Sequence, residues 1–155
     1  MSEMRYVRDI MKTDVVSMPA SRSVQEAAKE MASRSISCIV ITEQKKPIGI
    51  VTERDLVRRI IAKGKLPEDF ELKDIMTKNP ITVKPDASIV DAARMMKRNK
   101  IRRFPIIEKG FLVGIITETD ILYGMNDMVR HLNWKLVNTK MAMEEFMDEL
   151  TSLVL

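Results

Sequence analysis

Shifted by 65 residues, the chain matches itself without a gap. Asp9-Ile10-Met11 falls on Asp74-Ile75-Met76, Ser23 on Ser88, Ala27-Ala28 on Ala92-Ala93, and Met31 on Met96. Ile36 falls on Ile101, Ile41 on Ile106 and Glu43 on Glu108. Gly49-Ile50 falls on Gly114-Ile115, Thr52-Glu53 on Thr117-Glu118, and Asp55 on Asp120. These are 15 identities over the 49 positions 9–57. The chain is therefore two copies of one unit. A unit so small cannot easily bury its own apolar face, so the copies are expected to pack on each other.

Each copy reads in the same order. A short strand comes first, Val15–Met18 or Ile81–Val83. A helix follows, opened by Ser23-Val24-Gln25-Glu26, a capping box, or by the near variant Ser88-Ile89-Val90-Asp91. Val24, Ala27, Ala28 and Met31 share one helix face, as do Ile89, Ala92, Ala93 and Met96. Two apolar strands come next, Ile36–Thr42 with Ile48–Val51 and Arg103–Ile107 with Leu112–Ile116, about four or five turn residues apart. Thr52 and Thr117 then open a second helix, the first of which is expected to end near Lys63-Gly64. The fold class is α/β, with two tandem β-α-β-β-α units. The first is expected over 7–64, a linker over 65–73, the second over 74–137, and an extra C-terminal helix over 138–155.

Composition removes several function classes. A chain that is 45% hydrophobic and 31% charged, with 5 Gly and 6 Pro, is neither disordered nor collagenous. One cysteine gives no disulfide framework and no Cys-based zinc site. Apolar runs such as Phe111–Ile116 are far too short to cross a membrane, and Met1–Arg8 has no apolar signal core. The expected location is the reducing cytoplasm. His131 is the only histidine, no phosphate-binding glycine loop is present, and no catalytic constellation is visible. The net charge of +4 is mild but uneven: residues 94–109 hold 7 basic side chains against 1 acidic, whereas residues 121–155 hold 3 against 5. The basic segment calls for an anionic partner or a solvated face.

The Asp-Ile-Met starts, the segment Ile101-Arg102-Arg103-Phe104-Pro105-Ile106-Ile107, and two copies of Gly-Ile-[Val/Ile]-Thr-Glu-x-Asp together resemble the CBS-domain pair, or Bateman module, over about residues 7–131. The resemblance implies two units packed sheet to sheet about a pseudo-twofold axis, with two clefts for adenosine-bearing ligands such as AMP, ADP, ATP or S-adenosylmethionine. It implies a regulatory module rather than an enzyme. No cofactor is required, and an adenosine nucleotide is the regulatory ligand.

By that resemblance Asp120 accepts from ribose hydroxyls, Thr117 contacts ribose or phosphate, and Arg103 reaches phosphate, with Arg102 able to serve either cleft. Val16, Ile36, Ser37 and Ile115 complete this cleft. The other cleft has Thr52 and Asp55, with Ile50, Ile81 and Ile101 around the base, and Cys38 where the first has Arg103. The Asp120 cleft is therefore expected to take phosphorylated ligands better. The residues admit a plainer role as well: Thr with an acid three positions on caps many helices that bind nothing. The two roles are compatible, because a helix N-terminus also suits an anion. Gly49 and Gly114 leave room for a base, or for tight packing within the strand.

Past Asp120 the spacing stays helical through Ile121, Met125, Met128, Leu132 and Leu136, then resumes at Met143, with Asn138-Thr139 a possible break. Taken alone, 139–155 holds under two heptads, too little for a coiled coil. It is expected to pack on the module or across a dimer, or else to dock an effector protein. The resemblance favours a homodimer with helices of both copies at its interface. Two other functions compete with ligand sensing. One is nucleic-acid binding through 94–109, for which few aromatics are present to stack bases. The other is an adaptor with empty clefts that works through its C-terminal helix.

Overall fold

A computed structural model describes residues 6–154. Helix α1 (Val24–Arg34) begins at Ser23. The Ser23 Oγ accepts the Glu26 N–H at 3.1 Å, and the Glu26 carboxylate accepts the Ser23 N–H at 2.9 Å, closing the expected capping box. Helix α4 (Ile89–Asn99) begins at Ser88, whose Oγ accepts the Asp91 N–H at 3.0 Å; the Asp91 carboxylate turns to Arg94 instead. Val24, Ala27 and Met31 are buried on the first helix, and Ile89, Ala92 and Met96 on the second.

Strands β2 (Cys38–Glu43) and β3 (Lys46–Thr52) form one antiparallel hairpin, and β5 (Arg103–Glu108) and β6 (Phe111–Thr117) the other. The turns are only two residues long, shorter than the spacing suggested. Gln44-Lys45 and Lys109-Gly110 all have positive φ, the backbone of a tight turn whose twist matches the strands it joins. The pairing therefore runs to the very ends of both apolar segments. Strand β1 (Ser17–Met18) pairs parallel with β2, and its counterpart in the second copy is a single bridge from Val83 to Ile106.

Packing divides the chain differently from chain order. Helix α3 (Leu72–Ile75) buries Leu72 and Ile75 in the first core with Val24, Ile39 and Val51, and β4 (Thr77–Lys78) pairs with β3. Conversely, Val7 lies in the second core with Val83, Ile89 and Phe104. Lys12 exchanges two backbone hydrogen bonds with Ile115, each 2.9 Å. Each Asp-Ile-Met segment thus completes the opposite unit. The segment 65–73, read as a linker, carries Leu72 with no exposed surface.

Gly49 and Gly114 serve this exchange. A Cβ at Gly114 would meet Met11 Sδ at 2.9 Å and the Lys12 carbonyl oxygen at 3.0 Å; one at Gly49 would collide with the Met76 side chain. The close approach is made by a crossing methionine, so the tight-packing reading of these glycines holds.

Helix α2 (Glu53–Arg59) is followed by a 3-10 turn, Ile61–Lys63, and Gly64 in the left-handed region. Helix α5 runs from Glu118 to Val154 without a break. Asn138-Thr139 does not interrupt it: the Thr139 hydroxyl donates to the Lys135 carbonyl at 2.8 Å, within the helix. The C-terminal helix is thus a continuation of the second unit's last helix. Its 37 residues span about 55 Å at 1.5 Å per residue. Ile121 and Gly124 are buried and Met128 is half-buried, but residues 132–149 are all exposed. Residues 139–149 therefore do not pack on the module, because α5 outruns the 11-residue α4 beside it; packing across a dimer is the other expectation for this segment. Among the described residues, no helix is long and apolar enough to cross a membrane.

Candidate functional site: the cleft above Asp120

Arg103 begins β5, and its Nη1 donates to both the carbonyl and the Oγ of Ser37, each at 3.0 Å. This bond crosses between the two units. Beside it opens a cleft of about 410 Å³. Val16, Ile36, Ser37, Arg103, Ile115 and Thr117, all expected at one site, line it together, and so does Arg102, which was expected at either cleft. Lys12, Asp14, Val15, Ser35, Cys38, Glu118 and Thr119 also line it, and the sequence reading did not place them there. Lys12 and Asp14 could not have been found from the repeat alone, because the crossing of the N-terminal segment is a tertiary event.

Asp120 lies beneath the cleft rather than on its wall. Its Oδ2 accepts the Thr117 backbone N–H at 2.9 Å and the Thr117 hydroxyl at 2.7 Å, while the Asp120 N–H donates to Thr117 Oγ1 at 3.2 Å. The motif is thus a helix cap in this structure. Asp120 Oδ1 lies 3.5 Å from Lys12 Nζ, an ammonium whose side chain is 65% exposed. The cap commits one carboxylate oxygen; the other faces a cation at the cleft wall.

The cleft has three cations, Lys12, Arg102 and Arg103, against two carboxylates, Asp14 and Glu118. Arg102 Nε lies 3.6 Å from Glu118 Oε2, with both side chains mostly exposed, so the pair is readily exchanged. A guanidinium has five N–H donors, and Ser37 occupies only Nη1 of Arg103. Val15, Val16, Ile36 and Ile115 add an apolar lining to these polar groups. A volume of this size, part apolar and part cationic, suits a flat base joined to a phosphate.

The second copy of the motif differs in its cation. Thr52 and Asp55 form the same cap, with Oδ2 accepting the Thr52 N–H at 2.9 Å and its hydroxyl at 2.8 Å. Asp55 Oδ1 lies 3.3 Å from Arg59 Nη2, on the same helix. Arg59 also donates to the Ile75 carbonyl and, at 3.2 Å, to Thr77 Oγ1. Its place in the other copy is taken by Gly124, and the place of Lys12 by Thr77. Arg59 is thus occupied in tying α2 to the crossing segment. Ile50 is half-buried, paired with Thr77 on the neighbouring strand, and Ile81 is 39% exposed. Ile101 lines a separate hollow with Arg54, Lys97, Lys100 and Arg102. This hollow does not include Thr52, Asp55, Ile50 or Ile81.

The profile of the CBS domain matches residues 7–62 and 72–127. The chain belongs to the CBS-domain family. It is 38% identical over 118 residues to an uncharacterized protein of Methanopyrus kandleri, covering 75% of this chain and 60% of that protein. It is 32% identical over 146 residues to an uncharacterized protein of Methanocaldococcus jannaschii, of which it spans 51%. The CBS domain-containing protein YhcV of Bacillus subtilis is 31% identical, covering 76% of this chain and 84% of that one.

Among solved structures, a CBS domain pair in complex with 5′-methylthioadenosine and S-adenosyl-L-methionine superposes with a TM-score of 0.70 at 29% identity. That match covers 78% of this chain and 97% of the other. A hexameric CBS-CP12 protein from bloom-forming cyanobacteria matches at 0.71 and 32%, covering 76% and 70%. The tandem CBS architecture expected from the resemblance is therefore the fold of this chain.

Proposed function

We propose that this CBS pair is a non-enzymatic sensor that binds an adenosine-bearing ligand in the Asp120 cleft and passes its occupancy to a partner. The observation that carries this reading is the convergence, from both units, of an apolar wall and three cations around the capped N-terminus of α5. An adenine fits the wall of Val16, Ile36 and Ile115. A phosphate fits Arg103 and Lys12, and the ribose reaches the Thr117–Asp120 cap. A solved neighbour with bound adenosine-type ligands supports the ligand class. The ligand lies between the units, so it acts by binding one of their relative arrangements more tightly than another.

The Asp55 side is proposed as the weaker site, because Arg59 holds the free oxygen of Asp55 while tied to the Ile75 carbonyl and Thr77, and the first copy has no arginine at the position that matches Arg103. A disc-like homodimer is proposed through the outer helices. Val57 and Leu122, matched by the repeat, are 57% and 68% exposed there, beside Ile61 and Tyr123. The nucleic-acid reading is the weaker one, because few aromatics are present to stack bases and Arg103 lies beside Ser37 in the cleft.

Calorimetry with AMP, ATP and S-adenosylmethionine tests the reading. Asp120→Asn keeps the shape of the cap and should lose at least about tenfold in affinity, the scale of a charged hydrogen bond of about 1.5–3 kcal/mol. Asp55→Asn should leave that site unchanged. Equal loss in both variants refutes the asymmetry; no binding at millimolar ligand refutes the function.

A further inference from the structure

The continuity of α5 changes what its exposed residues mean. Within one unbroken helix, Val129, Leu132, Leu136, Thr139, Met143 and Phe146 follow one another at alternating steps of three and four. The sequence extends the same steps to Leu150 and Leu153. That is a heptad seam, sustained over more than three heptads. Val129, Leu132, Leu136, Met143 and Phe146 are each 54–68% exposed. Thr139 is the one polar member, and its hydroxyl is already donated to its own helix, which leaves its methyl group for the seam. Trp134, Val137 and Met141 lie off this line.

We infer that the projecting part of α5 pairs with the same segment of a second copy of this chain, antiparallel, as a two-stranded coiled coil. Charge selects the partner and its direction. The first half of the segment carries Arg130, Lys135 and Lys140; the second carries Glu144, Glu145, Asp148 and Glu149. A parallel pair sets basic half on basic half, and brings Lys135 of one helix beside Lys140 of the other. An antiparallel pair sets basic on acidic at both ends. It places Lys135 next to Glu149 of the second copy, twice by symmetry, against a single Lys140–Lys140 contact near the centre, whereas the parallel pair has the Lys135–Lys140 contact twice and no opposite-charge pair to offset it. The seam closes in the same register: Leu136 meets Phe146 and Thr139 meets Met143. This contact is separate from the cleft and does not depend on what the cleft binds.

The test uses the full chain with a spin label at Asn126→Cys, in a Cys38→Ala background, at tens of micromolar. The antiparallel register separates the two labels by about 45 Å along the axis, at 1.5 Å per residue. The expected result is that distance, abolished by Leu136→Glu with Met143→Glu; the same double change in the chain that keeps Cys38 should leave nucleotide binding as it is. A seam-dependent distance below about 20 Å means a parallel pair and overturns the proposal. So does a distance distribution that the double variant leaves unchanged, or vesicle binding that the double variant abolishes. The charge arm is independent: Lys135→Glu should weaken self-association roughly threefold or more, the scale of two exposed ion pairs, and adding Glu149→Lys should restore it. Strengthening by Lys135→Glu alone would also refute the antiparallel pair.

Discussion

Adding one methyl group at each of the two matched glycines should have unequal effects. A Cβ at Gly114 meets the Lys12 carbonyl oxygen at 3.0 Å as well as Met11 Sδ at 2.9 Å. That carbonyl accepts the Ile115 N–H at 2.9 Å and the Lys12 N–H is bonded back to Ile115, so it cannot retreat without loosening both bonds. A Cβ at Gly49 meets only the Met76 side chain: the thioether can rotate away, and the remaining contact with Met76 Cβ at 3.1 Å asks a shift of a few tenths of an ångström. Overpacking costs about 1–3 kcal/mol. Gly49→Ala belongs near the bottom of that range and Gly114→Ala near the top, at roughly 1 and 3 kcal/mol. At about 2–4 °C per kcal/mol for a chain of this size, the thermal midpoints should fall by roughly 3 and 9 °C.

Scanning calorimetry reads the midpoints, and double-mutant cycles identify the contacts. Gly114→Ala should couple with Met11→Ala and add independently, to within about 0.5 kcal/mol, with Met76→Ala. Gly49→Ala should do the reverse. Lys12 also lines the cleft, so only Gly114→Ala should weaken nucleotide binding. Coupling between Gly114 and Met76, or a Gly49→Ala cost at least equal to that of Gly114→Ala, would refute the crossed packing argument.

Arg103→Ala should weaken AMP by about tenfold or more and leave adenosine nearly unchanged, because the lost contact is to phosphate; equal loss for both in calorimetry would place Arg103 elsewhere. Arg59→Ala leaves the Ile75 carbonyl without its guanidinium partner and should lower the urea midpoint by the equivalent of about 1–2 kcal/mol. Ser23→Ala should cost about 1 kcal/mol through loss of the α1 cap. The Glu26 carboxyl is held below its usual range, chiefly by the Ser23 backbone N–H. Its stabilising effect is therefore present above the unfolded-state pKa and lost as pH falls through the lower folded-state value. Acid titration of the Glu26 carboxyl carbon by NMR should show a midpoint under that of an unstructured glutamate.

Periodicity and the 65-residue repeat were enough to place both hairpins, the two capped helices and the buried faces at Val24, Ala27 and Met31 and at Ile89, Ala92 and Met96. These are local: side-chain spacing and capping chemistry act within a few residues, so one chain segment contains the whole cause. Half of the residues lining the cleft above Asp120 were legible as well, through the family resemblance that the repeated motif carries.

Which unit each Asp-Ile-Met segment completes was not legible. Met11 and Met76 occupy equivalent repeat positions, so a repeat is equally consistent with either packing; only the fit of Met11 and Lys12 against Gly114, and of Met76 against Gly49, distinguishes them. That choice brings Lys12 to the rim of the Asp120 cleft and leaves Arg59 holding Asp55, which makes two similar motifs unequal. The continuity of α5 was likewise decided in three dimensions. Asn138-Thr139 reads as a weak helix former in sequence, yet its side chains face solvent and the Thr139 hydroxyl bonds within the helix, so nothing competes with the backbone there. A seam that looks too short in the last 17 residues becomes long enough to pair only when the helix is seen to start at Glu118.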